Sequence, residues 1–77
     1  MSYVDEVANE LAAKALADEE RSGDDKIVAN ISEILGASSQ TLQESFLTFV
    51  RVRRAERRAR ELLAAREAGQ SADGAGV

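Results

Sequence analysis

Between residues 51 and 60 the chain reads Arg-Val-Arg-Arg-Ala-Glu-Arg-Arg-Ala-Arg, and Arg66 follows shortly after. Planar guanidinium groups at this density can grip carboxylate or phosphate oxygens with paired N–H donors. The same side chains can also lie along a helix as a solvated face, their aliphatic stems covering apolar neighbours. Other chemistry has little to work with. Cysteine and histidine are both absent, which removes thiol–imidazole nucleophile pairs and the common zinc sets. No glycine-rich phosphate loop occurs, and Asp18-Glu19-Glu20 and Asp24-Asp25 lack the spacing and glycine of a calcium loop. The expectation is a protein that is not an enzyme, with no cofactor, no metal and no small-molecule substrate. Arg51, Arg54, Arg57 and Arg58 are its expected partner-binding contacts.

The elements that must carry these arginines are helical. In 77 residues there is no proline, while alanine, leucine, glutamate and arginine are abundant; good helix formers with few breakers predict an all-α chain. Ser2 can cap a first helix, with Asp5 in its acidic first turn. Val4, Val7, Ala8, Leu11, Ala12, Ala15 and Leu16 then recur at helical steps until Ser22-Gly23. A second helix, started by Ser22 or Asp24, presents Ile27, Val28, Ile31, Ile34 and Leu35 on one face, with Gly36 expected as a left-handed cap. Ser38 or Ser39 can cap a third helix that meets no breaker before Gly69. The reading is one three-helix domain over residues 1–68, with helices near 3–21, 24–35 and 39–68, and a disordered tail over 69–77.

Residues 31–46 add a more specific pattern: Ile31, Ser32, Leu35, Gly36, Ala37, Ser38, Thr41, Leu42 and Phe46. They resemble the helix-turn-helix of sigma-factor region 4 and related bacterial transcriptional regulators. That resemblance implies apolar positions packing two helices, a glycine in the turn, and the opening of the second helix facing base edges. It makes Ser39, Gln40, Thr41 and Gln43 possible nucleic-acid-binding residues, with Glu44 beside them. No lysine or arginine lies between Gln40 and Val50, so phosphate contacts would fall to the arginines beyond.

Charge and length bear on partners. Residues 1–50 hold ten acidic and three basic side chains, and residues 51–77 hold seven arginines and four acids, giving the formal −4 overall. The two halves can therefore attract each other, within one molecule or between two. A domain this small needs help to be stable, and without cysteine or metal ligands that help is a partner subunit. The third helix supplies a place for one. Leu42, Phe46, Phe49 and Val50 share one side, while Ala55, Ala59, Leu62 and Leu63 fall roughly opposite at about 100° per residue.

The second set is the expected oligomer interface of a helical bundle, taken as a homodimer. No apolar run reaches the roughly 18 residues that cross a bilayer, and the acidic amino terminus does not read as a signal peptide. A cytoplasmic location without membrane contact is expected. The functional expectation is a small, self-associating interaction module or regulatory adaptor that contacts an acidic protein or a nucleic acid. The alternative is a helix-turn-helix DNA-binding regulator.

Overall fold

The computed structural model describes residues 2–73, all of them helical or linking helices. Helix α1 spans Tyr3–Ser22, α2 Ile27–Ser38 and α3 Gln40–Asp73. The fold is all-α, as the composition predicts. Ser2 caps α1: its hydroxyl accepts from the Asp5 backbone N–H at 3.1 Å, satisfying a donor that the helix start would otherwise leave open. At the other end Gly23 adopts φ 77° and returns its N–H to the Glu19 carbonyl, a left-handed turn that glycine makes without a Cβ clash.

The link to α2 is built by two short side chains. Ser22 Oγ donates to the Asp18 carbonyl at 2.8 Å and accepts from Asp24 N–H at 3.1 Å. Asp24 Oδ1 then accepts from Lys26 N–H at 2.9 Å, so Asp24 organises a turn ahead of the helix, which itself begins at Ile27. Two expectations for α2 need correction. Gly36 is not a left-handed cap: it lies inside α2, and Gly23 is the only described residue with positive φ. Ile34 is not in the core but 70% exposed, because Val28, Ser32 and Leu35 set the inward direction and Ile34 falls about 120° from Val28.

The reversal into α3 occurs at a single extended residue, Ser39 (φ −154°, ψ 101°). Its N–H closes α2 on the Leu35 carbonyl at 2.7 Å, and its Oγ accepts from Leu42 N–H at 3.1 Å to open α3. Helix α3 then passes through Gly69 to Asp73. The tail expected from residue 69 is thus helical over 69–73; one glycine among alanines costs only about 1 kcal/mol against alanine. Residues 74–77 lie outside the described residues.

The core sits between α1 and the first third of α3. Ala8, Ala12, Ala15 and Leu16 bury one stripe of α1 against Phe46 and Val50, with Val28 closing the side. The alanines let the two helices approach closely, and Phe46, fully buried, fills the space between them. The polar contacts of α1 with α3 advance in step, Asp5 with Ser45 and Glu19 with Arg54, so the two helices run in the same direction and α2 returns between them. Phe46→Ala removes the one large buried ring and is expected to cost about 3–5 kcal/mol. That approaches the whole stability of a small domain, so a urea titration followed by circular dichroism should lose its folded baseline.

Gly36 has a different use from the one its sequence position implies. A Cβ there would run into the Gln43 side-chain amide, which reaches across from α3 to donate to Ser32, at 3.0 Å to the carbonyl and 3.2 Å to Oγ. Alanine at 36 would gain helix propensity of about 1 kcal/mol while displacing that amide, whose hydrogen bonds are worth about 1 kcal/mol each. Gly36→Ala should therefore be neutral or slightly destabilising in the parent chain and stabilising by roughly 1 kcal/mol in a Gln43→Ala background, a coupling that a double-mutant cycle of urea midpoints reads directly.

Candidate interaction surface on the long helix

Helix α3 changes character at Val50. Up to that point it alternates between core and surface; from Arg51 to Gly69 every residue is exposed except half-buried Arg53. The core-facing side of α3 continues past Phe46 and Val50 into Arg53, Arg54 and Arg57, and these meet polar side chains of α1, Arg53 beside the alanine stripe and the other two near the end of the helix. Arg53 Nε donates to Asn9 Oδ1 at 2.9 Å. Arg54 reaches both carboxylate oxygens of Glu19, at 3.2 and 3.4 Å. Arg57 lies 3.4 Å from Glu20. The attraction expected between the acidic and basic halves of the chain thus operates within one molecule.

Along α3 itself Arg60 Nε donates to Glu56 Oε2 at 2.8 Å, the favourable order for a pair four residues apart. The four expected partner-binding arginines therefore divide. Arg54 and Arg57 are held in ion pairs across to α1. Arg51 and Arg58 project from the outer side of α3, with no ion pair to any described residue. Between the paired arginines and α1 runs an open groove of about 480 Å³, floored by Ala13, Leu16, Ala17 and Ala64.

The expected oligomer face is wholly exposed. Ala55 and Ala59 stand open, Leu62 and Leu63 are each 59% exposed, and Val52, an addition to the expected set, is 53% exposed one turn before Ala55. Three large aliphatic side chains thus stand exposed on the stretch of α3 that carries Ala55 and Ala59. The signal for Val52 was available in the sequence, three residues before Ala55 on the same helical side.

The possible nucleic-acid residues are not equivalent. Gln40 and Thr41 are exposed at the start of α3, and Gln40 Nε2 lies 3.5 Å from Glu44 Oε2. Ser39 is engaged as the cap of α3, and Gln43 is half-buried on Ser32. Among the described residues no cluster of carboxylates could hold a metal ion, and no helix is long and apolar enough to cross a membrane.

The partial exposure of these cross-helix ion pairs limits their worth to at most about 1 kcal/mol each. Changing Glu19→Gln and Glu20→Gln together should move the urea midpoint only slightly. It should also raise the affinity for a poly-glutamate chain, measured by fluorescence anisotropy, because Arg54 and Arg57 are released.

No family model matches the chain, and neither a curated protein nor a solved structure matches it significantly.

Proposed function

We propose that this chain is a small, non-catalytic helical interaction module, a regulatory adaptor of the cytoplasm that self-associates through the outer side of α3 and uses its arginines to hold an anionic partner. The observation that carries the reading is the state of α3 beyond Val50, where aliphatic and arginine side chains stand exposed and no described residue of the chain covers them. Burying Val52, Leu62 and Leu63 is the main gain available to such a helix, at roughly 1.5–3 kcal/mol for each side chain fully covered. Arg51 and Arg58 supply cations that no described carboxylate neutralises, and Arg54 and Arg57 add two that exchange between α1 and a competing anion. An acidic protein segment is the partner that suits this mixed surface best. The arginines that flank the self-association side match a chain of carboxylates.

A second reading, a helix-turn-helix contact with DNA, draws on the exposed side chains of Gln40 and Thr41 at the amino end of α3. It predicts binding whose logarithm falls steeply with the logarithm of salt concentration and is lost on changing Gln40.

Light scattering at low and high salt, with poly-glutamate or duplex DNA added in turn, tests both. The module predicts a dimer at either salt concentration that takes up poly-glutamate at low salt. Arg58→Glu should weaken that uptake roughly two- to fivefold while leaving the dimer mass unchanged. A monomer under all conditions, or a protein that ignores poly-glutamate and binds DNA through Gln40, would overturn the module.

A further inference from the structure

We propose that the outer side of α3 is the seam of a parallel, in-register pair formed with a second copy of this chain, with Arg51 of each copy set against Glu56 of the other. This rests on the reading of that side as a self-association surface and commits it to one geometry. Thr48, Val52, Ala55, Ala59, Leu62 and Arg66 follow one another at alternating four- and three-residue steps, and all six are exposed. That is the spacing with which two helices wind together, each seam residue entering a gap on the other helix. The seam faces away from Phe46 and Val50, so a second helix can lie along it without displacing the alanine stripe of α1.

Size and charge along the seam select the occupant and its direction. Ala55 and Ala59 are small enough to bring two helix axes close, and Val52 and Leu62 bracket them with larger apolar groups. One flank of the seam carries Arg51 and Arg58, each directly before a seam position. The other flank carries Glu56 and Leu63, each directly after one. In a parallel pair the first flank of one helix meets the second flank of its neighbour five residues further on. Arg51 then meets Glu56, and the stem of Arg58 lies over Leu63 with its guanidinium in water. Within its own chain Glu56 gives Oε2 to Arg60, leaving Oε1 for the second copy.

The antiparallel arrangement that sets Ala55 against Ala59 packs the same seam, but it opposes Arg58 to Arg58 and Glu56 to Glu56. Like charges directly opposed are unfavourable, so direction is decided by the flanks. The seam is only about two turns of the seven-residue repeat long, which makes the pair a weak dimer. The two Arg58 side chains stay unpaired at its edges; with Arg51 taken up by Glu56 in the pair, Arg58 is the outer arginine that remains available to an anionic partner.

Because the chain contains no cysteine, single introduced cysteines report which positions meet. Thr48→Cys and Arg66→Cys variants, each alone and mixed, are to be equilibrated in a glutathione redox buffer, with sedimentation giving the mass under reducing conditions. The parallel pair predicts a disulfide-linked dimer from R66C alone and no T48C–R66C product, since those sites lie about 27 Å apart along the helix at 1.5 Å per residue. A dominant T48C–R66C product would overturn the parallel direction while leaving self-association standing. A dimeric mass with neither product would overturn the seam, and a monomeric mass would overturn the self-association reading as well.

The flank contact is tested separately by charge exchange. R51E and E56R should each weaken the dimer roughly fivefold or more at low salt, and the doubly exchanged chain should recover to within about twofold. Helicity unchanged by circular dichroism excludes unfolding as the cause. Indifference to either single change would overturn the Arg51–Glu56 assignment.

Discussion

The structure depends on a mismatch of length. Helix α1 has 20 residues and α3 has 34, roughly 30 and 51 Å at 1.5 Å per residue. Two helices running side by side in the same direction cannot cover each other when one is so much longer. The principal extents of the molecule, 55 × 30 × 13 Å, record the result: a thin body with one helix carried past its neighbours. Where the alanine stripe of α1 lies against α3, Phe46 and Val50 are buried; past Val50 the contact passes to exposed ion pairs with Glu19 and Glu20, and α3 then runs on beyond α1.

The character of the α1–α3 contact changes along its length in a way that follows from the residues available. At the start Asp5 and Ser45 share a hydrogen bond of 2.8 Å. In the middle the alanines of α1 receive Phe46, a dry contact whose stabilisation scales with the apolar area removed from water. Near the end of α1 the stripe gives way to Glu19 and Glu20, and α3 answers with Arg54 and Arg57. Those pairs are half-exposed and individually weak. They close the contact with charges that can be exchanged for others, where a run of leucines would have sealed it.

At the turn, a different constraint operates. Only one residue, Ser39, separates α2 from α3, and the first turns of α3 therefore lie against the last turns of α2. Gln43 uses that proximity to reach Ser32, and Gly36 leaves the space through which it passes. A polar side chain that crosses between helices onto the hydroxyl and carbonyl of a buried serine sets their relative rotation more sharply than apolar packing alone, because its bonds are directional. This is also why Gln43 differs from its exposed neighbours Gln40 and Thr41.

The sequence by itself determined what depends on neighbours along the chain. Helical periodicity, the Ser2 cap, a serine cap at 38 or 39, the stop at Gly23 and the two apolar sides of α3 are all local, set by spacing of three to four residues and by side chains bonding to their own backbone. Tertiary structure decided whatever depends on which helix lies across. Ile34 is aliphatic and within reach of the α2 stripe by spacing, yet the crossing of α2 over α3 leaves it outside. Gly36 resembles a helix stop until Gln43 is brought over it. The arginines of residues 51–60 are chemically alike in the sequence, and the end of α1 alone separates Arg54 and Arg57, held by Glu19 and Glu20, from Arg51 and Arg58, which face outward. Periodicity states which residues share a side of a helix; only the packed neighbour states which side is covered.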